Sequence, residues 1–403
     1  MNILVLSSVY PSPEDHNENV TKVVRYFVKS WSEQGHTVRV IHNVHRYPFF
    51  LHGMPSGIKK KLATKINFYI PDLSDVKERQ FDDGDVKVWR LPIKKIIPHG
   101  EPGESAIKKQ VEKISSILER EGFLPDVCLG HWASPQMAIM AELKKRYNFR
   151  TALVLHGKGY IENPKTREKY MPYIDRLGCR SDAEAKYLKD TLGLDIEPFV
   201  CYSGVPDRFI EEFSYDSEKF SEKPRCWRLV FAGRLLECKH LDKLIKALSK
   251  LQGRDFVLDI IGTGPEEAPL KALAEELGIK DRVVFHGRLP REEVLSFMRK
   301  AHSFVMVSKG EVFGLVYLEA MAASCVTIGS RDEGIDGVIR HGENGLLSAA
   351  ADADELQKVL ERMFDAPLEE LKELSRKGYE TAKEFTDSQV ARWYLEDVCG
   401  HRE

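Results

Sequence analysis

Short apolar runs that read as strands alternate along this chain with segments whose apolar residues recur at helical spacing, and the alternation is run through twice. Ile3 to Ser7 is strand-like, then Val20, Val23, Val24, Phe27, Val28 and Trp31 share one helical face, and Thr37 to Ile41 is strand-like again. The same grammar returns at Val127 to Leu129 before Met137 to Tyr147, at Thr151 to Leu155, and at Gly178-Cys179 before Asp182 to Leu192. A second series opens with Trp227 to Ala232 and Leu241 to Lys250, then Phe256 to Ile261 and Glu267 to Leu277. It continues through Val283 to His286, Glu292 to Lys300 and Ser303 to Val307, and reaches a helix opened by Gly314. Strands separated by helices must pair in parallel, with helices covering both faces of the sheet.

A chain of 403 residues exceeds what one ordinary core holds. The expectation is therefore two doubly wound α/β domains, residues 1–204 and 205–384, with a helix at Ser388 to Val398 in a third segment, 385–403, that packs back on one of them. The polar stretch Gly204 to Pro224 reads as the linker. No run approaches the ~20 apolar residues of a membrane-spanning helix, and Met-Asn-Ile-Leu-Val-Leu enters a strand with no basic leader, so cytoplasmic residence is expected. The seven cysteines form no C-x-x-C pair and read as reduced packing residues. The net charge of −2 divides unevenly: positive charges are in excess by six up to Gly204, and negative ones by eight beyond it. A basic half suits a polyanionic or membrane-surface partner, or is merely a solvated surface.

Candidate chemistry concentrates in the second series. Glu311 and Glu319 lie eight positions apart around the start of the helix opened by Gly314. Its first N–H groups and positive pole favour a phosphate beside Glu311, and Glu319, about one and a half turns on, can reach a ribose attached to it. A glutamate in the first turns of a helix is equally well explained by the dipole alone. After Trp227 to Ala232 comes Gly233-Arg234-Leu235-Leu236-Glu237-Cys238-Lys239-His240, with two cations five positions apart at a strand's carboxyl end. Such a pair suits a diphosphate and opposes the charge that builds on it when it departs; in isolation, both would be ordinary loop cations.

Gly-Arg-Leu-x3-Lys, Ile-Gly-x-Gly-Pro, Phe-x-Gly-x-Leu and Glu-x-Phe-Gly-Leu-x3-Glu-Ala-Met-Ala, in this order over most of Trp227 to Leu347, resemble glycosyltransferase family 4. The resemblance implies the GT-B fold, two facing Rossmann-like domains with a cleft between them, and retaining transfer of a hexose-type sugar from a nucleotide-sugar. It implies that Arg234 and Lys239 hold the donor's phosphates, Glu311 the donor sugar and Glu319 the ribose. Gly314 and Leu315 would offer backbone N–H groups, with Gly262 and Phe313 also at the donor and Leu289 beside the nucleobase. His156, in Leu155-His156-Gly157, resembles the family's active-site histidine; without the resemblance a strand-end histidine reads as structural. With Arg234, Lys239, Glu311 and His156 as the catalytic set, the implied mechanism is front-face attack with a phosphate oxygen taking the acceptor's proton.

Three departures from the family's pattern stand out. The loop after the first strand reads Asn17-Glu18-Asn19 without glycine, which leaves Asn17 and Asn19 as weak acceptor contacts; His240 follows Lys239 where glycine is commoner; and Ala323-Ser324-Cys325 replaces a Gly-x-Pro turn. Asp83-Gly84-Asp85 imitates a metal motif but is first a hairpin turn, and no metal or other cofactor is expected. Gly262-Thr263-Gly264 lacks the third glycine of a dinucleotide fingerprint.

Residues 46–70 combine Tyr47, Phe49, Phe50 and Met54 with Ile58, Leu62, Ile66 and Ile70 on one helical face, and with Lys59, Lys60, Lys61 and Lys65. An apolar face flanked by lysines fits an anionic membrane interface, and fits equally an internal helix with a solvated lysine face. The expected partners are a nucleotide-sugar, a glycan or lipid-linked saccharide acceptor of bacterial polysaccharide or glycolipid assembly, and the inner face of the plasma membrane, with no nucleic acid. The rival readings are a GT-B epimerase or phosphorylase, and a catalytically silent sugar-binding subunit.

Overall fold

The protein is described from a computed structural model. The residues described are 1–12, 21–55, 57–58, 75–96, 100–157, 164–192, 197–212, 214–251 and 253–400. Asn17, Asn19 and the lysines at 59–65 lie outside them. The chain divides into two compact units: 1–179 with 187–201 and 391–403, and 180–186 with 202–390.

In the first unit, eight strands run in the order β3-β4-β2-β1-β5-β6-β7-β8. They are β1 (Asn2–Ser7), β2 (Thr37–Arg46), β3 (Arg79–Asp83), β4 (Val86–Lys94), β5 (Val127–His131), β6 (Arg150–Val154), β7 (Arg176–Cys179) and β8 (Phe199–Val200). All pair in parallel except β3, which meets β4 antiparallel across a turn with Gly84 at φ +63. This is the hairpin expected of Asp83-Gly84-Asp85. The Asp83 carboxylate accepts from Arg25 (2.6 and 2.7 Å) and from the Tyr10 hydroxyl (2.9 Å), and the guanidinium holds it below the usual carboxylate range.

The helix Asp387–Cys399 contributes to this unit's core. Tyr394 stands edge-on to Phe27 (5.5 Å) and near Trp31 (5.3 Å), and the Trp31 indole N–H donates to the Ala391 carbonyl at 2.8 Å.

The second unit is a fully parallel six-stranded sheet in the order β11-β10-β9-β12-β13-β14. Its strands are β9 (Trp227–Ala232), β10 (Phe256–Ile261), β11 (Val283–Gly287), β12 (Ser303–Val305), β13 (Val326–Arg331) and β14 (Leu346–Ala349). Renumbered from β9, this is the Rossmann order 3-2-1-4-5-6, whose ligand crevice lies at the carboxyl ends of the two central strands. Those strands are β9 and β12, which makes the loops after them the candidate site.

Gly204 to Pro224 is not a free linker. It contains the helix Asp207–Glu212, and Phe209 and Phe220 are buried in the second unit's core. Two isolated apolar anchors in a polar, proline-bearing stretch leave no periodic signal, which is why the segment reads as a tether. Among the described residues no helix is long and apolar enough to cross a membrane.

Candidate functional site

The loop after β9 is held by its neighbour after β10. A Cβ on Gly262 would lie 1.8 Å from the Gly233 carbonyl oxygen, and one on Gly264 2.1 Å from that of Leu235, so only glycine lets the two backbones approach. Backbone bonds stitch them together: Leu235 N–H to Thr263 O (3.1 Å) and Glu266 N–H to Leu235 O (3.2 Å). The Gly262 N–H is committed to Gly287 O at 2.7 Å, so the G-x-G pair serves loop packing.

Past Gly233 the chain makes a 3-10 turn, Glu237–Lys239, and His240 takes a left-handed conformation (φ +49) before helix Leu241–Ser249 begins. A left-handed residue there accounts for glycine being the common choice at this position. The loop after β12 docks alongside, the Lys309 N–H donating to Cys238 O at 2.9 Å. It is pinned from the far side by Glu333, whose carboxylate accepts the N–H groups of Gly310 (2.7 Å) and Glu311 (3.2 Å).

This docking brings Lys239 and Glu311 into a direct ion pair, each side chain under a fifth exposed. Arg234, on the same loop, is exposed and has no side-chain partner among the described residues. Gly314 (φ +85) opens helix Leu315–Ala322, which no side chain caps. A Cβ at Gly314 would lie 2.5 Å from the Tyr317 ring, so glycine is required there twice over. Tyr317 is fully buried and donates to Met306 O at 2.8 Å, bracing the helix start against the β12 loop. Uncapped N–H groups, an exposed arginine and a lysine–glutamate pair thus converge at the carboxyl ends of the central strands, an arrangement suited to an anion carrying hydroxyl groups.

Glu319 lies further along the same helix, and Arg291, the first residue of helix Arg291–Lys300, binds it (Nε to Oε1 2.8 Å). Burial pushes the Glu319 carboxyl up, and the guanidinium opposes that shift. Arg291 also lies 4.8 Å over the Phe209 ring. Leu289, two residues before it, is half-buried against the core. Phe313 is buried beside Tyr202 (ring centroids 6.0 Å), whose hydroxyl meets Asp182 at 3.0 Å.

In the first unit His156 follows β6. Its ring stacks on Trp132 at 3.9 Å, and its Nε2 lies 3.1 Å from Nδ1 of the buried His131. One ring must donate and the other accept, so the pair cannot hold two imidazolium ions in this geometry. Near the carboxyl ends of the adjacent strands β1 and β2 runs a chain of neutral side chains. Gln110 donates to Asn43 (2.8 Å), Asn43 to Gln136 (2.7 Å) and Gln136 to the Ser8 hydroxyl (2.6 Å).

Arg291, Glu333, Trp132 and His131 escaped the sequence reading. Arg291 directly follows Gly-Arg-Leu-Pro at a helix start, a position that could have flagged it; Glu333 carries no comparable signal.

Known proteins resemble this chain in sequence and in fold. Residues 213–381 match the family described as glycosyl transferases group 1. The chain is 32% identical to the lipopolysaccharide core biosynthesis glycosyltransferase LpsE of Rhizobium meliloti over 70% of this chain and 78% of that protein. Among solved structures, the lipopolysaccharide outer core galactosyltransferase WaaB superposes with a TM-score of 0.70 at 17% identity over all of both chains. HepE of Anabaena, solved with UDP, gives 0.65 at 15% identity over 99% of this chain and 100% of that one. These structures share the GT-B fold.

Proposed function

Since the chain belongs to the group 1 glycosyl transferases, we propose that it moves a hexose-type sugar, with retention, from a nucleotide-sugar to a glycan or lipid-linked acceptor of bacterial glycan assembly. The observation that carries this reading is the Lys239–Glu311 pair, which joins the loops after β9 and β12 at the second sheet's switch point. Lys239 and Arg234 take the donor's diphosphate together with the N–H groups at the start of helix Leu315–Ala322; Glu311, released from Lys239, takes hydroxyls of the sugar. Glu319 takes the ribose.

Catalysis in this reading is stabilisation of the leaving diphosphate. Two cations and a helix N-terminus oppose the charge that grows as the glycosidic bond breaks, and such preorganised donors are worth about 10²–10³ in rate each. No metal is needed for that task. The acceptor hydroxyl attacks from the face the diphosphate leaves, and a phosphate oxygen takes its proton. His156, held by Trp132 and His131, is the first unit's candidate for the active-site histidine in this scheme.

The presence of UDP in the HepE structure favours a uridine donor. A thermal-shift panel of UDP- and GDP-sugars tests the reading. The true donor raises the melting temperature by mass action, and a flat response to every nucleotide-sugar and to UDP and GDP rules the site out.

Docking to an anionic membrane through residues 46–70 belongs to the same proposal. Phe49 and Phe50 are 74% and 67% exposed, apolar surface that an interface would cover. Exchanging Lys59, Lys60, Lys61 and Lys65 for glutamate abolishes co-sedimentation with phosphatidylglycerol vesicles, and undiminished pelleting removes the idea.

A further inference from the structure

A cavity of about 870 Å³ lies in the first unit, where the chain leaves β4, against the first half of helix Glu104–Arg120. Its walls are apolar. Val76 and Ile93 are buried, Pro92 and Ala106 half-buried, and Ile96 stands 79% exposed at the opening. Its charged lining is one-sided: Arg46, Lys77, Lys94, Lys109 and Lys113 face a single carboxylate, Glu78.

That carboxylate is already taken, since Lys113 binds Glu78 at 2.5 Å. The nearby acids of the adjoining chain are committed too: Glu104 pairs with Lys169, Glu112 with Arg146 at 2.6 Å, and Glu101 accepts from the Ser134 hydroxyl at 2.6 Å. Among the described residues Arg46, Lys77, Lys94 and Lys109 form no ion pair. Arg46, Lys77, Lys94 and Lys109 thus bring an excess of positive charge to one apolar cavity, a field that attracts an anion. The floor asks for something different: hydrocarbon, which gains roughly 25 cal/mol for each Å² withdrawn from water.

We infer that this cavity binds a phosphate ester on an apolar chain, the phosphate among Arg46, Lys77, Lys94 and Lys109 and the chain on Val76, Pro92 and Ile93. The ligand is the carrier end of the acceptor. That assignment rests on the glycosyl-transfer reading; the cavity and its charges do not. Inorganic phosphate satisfies the rim without the floor, and a neutral amphiphile the floor without the rim, so neither binds as an alkyl phosphate does.

Calorimetry on the full chain with dodecyl phosphate, inorganic phosphate and dodecyl maltoside tests this. Dodecyl phosphate binds tightest, and Lys94→Gln with Lys109→Gln weakens it about a hundred-fold, roughly ten-fold for each ammonium group removed. Both lysines are exposed, so the variant keeps the wild-type melting temperature. Equal affinity of wild type and variant overturns the proposal, as does inorganic phosphate or dodecyl maltoside matching dodecyl phosphate. Competition between dodecyl phosphate and phosphatidylglycerol vesicles identifies a bilayer headgroup as the source; binding without competition identifies a free phosphorylated amphiphile. UDP-induced stabilisation is read in the same samples. If UDP still stabilises the protein while dodecyl phosphate fails to bind, the cavity assignment falls and the donor site stands.

Discussion

The ammonium of Lys239 and the carboxylate of Glu311 neutralise one another across two loops that are 72 positions apart in sequence. In the proposed donor complex a diphosphate would replace Glu311 at the lysine, and a sugar hydroxyl would replace Lys239 at the glutamate. The pair holds both side chains in place until the donor arrives.

Lys239→Ala and Glu311→Ala therefore each lower kcat/KM by about a hundred-fold or more. The pair is loop-borne and partly exposed, so melting temperatures change by no more than about 3 °C. Steady-state transfer with the donor found by thermal shift reads this. Near-normal turnover in both variants contradicts the assignment.

Arg291→Ala leaves the Glu319 carboxylate in its buried setting without the guanidinium. The loss is on the order of 2 kcal/mol of stability, less than for a fully buried pair because Arg291 is part-exposed, and UDP binding weakens. Burial raises the carboxyl above its unfolded value, so the native state holds its proton to higher pH than the unfolded state. Stability of Arg291→Ala consequently falls as pH rises above the ordinary glutamate range. Urea titrations at pH 5 and pH 8 show this slope, and Glu319→Gln in the same background removes it.

Gly262→Ala drives a methyl group into the Gly233 carbonyl at a backbone conformation (φ +140) that L-residues avoid. The cost is about 3 kcal/mol. The loop carrying Arg234 moves with it, so UDP affinity drops together with stability. A variant with full stability and full affinity would show that the two loops do not rely on their close approach.

His302 accepts the Arg228 backbone N–H at Nδ1 (2.9 Å), which fixes that ring nitrogen as unprotonated. Burial, with Lys219 and Arg228 nearby, depresses its pKa from 6.5 to about 4. The unfolded state binds the proton first, so this contribution is complete above pH 6.5 and is lost as pH falls toward 4, by about 3 kcal/mol. His302→Asn flattens that part of the stability profile, and denaturant midpoints measured between pH 4 and 7 give the comparison.

Local pattern and long-range contact were not equally legible. Alternating periodicity announced the parallel strands of both sheets, and Asp83-Gly84-Asp85 announced the β3–β4 turn, because each depends on neighbours in sequence. Gly314 was recognisable as a helix start for the same reason. What pattern does not carry is which side chain meets which: Arg291 reaches Glu319 across 28 positions, and Glu333 reaches the Gly310 N–H across 23. The glycines of Gly262-Thr263-Gly264 resembled a nucleotide motif, yet their spacing answers to the backbone of Gly233 and Leu235, which only the folded arrangement brings near.

The Trp31–Ala391 bond closes a span of 360 positions, and this has a consequence for biosynthesis. A ribosome that has released the first two hundred residues has not yet supplied Tyr394, so the hydrophobic surface around Phe27 and Trp31 stays uncovered throughout translation of the second unit. Cutting the gene after residue 204 gives a product lacking part of its own interior, whereas among the described residues the second unit's buried core ends at Ala382 and can close before the helix that completes the first has been made.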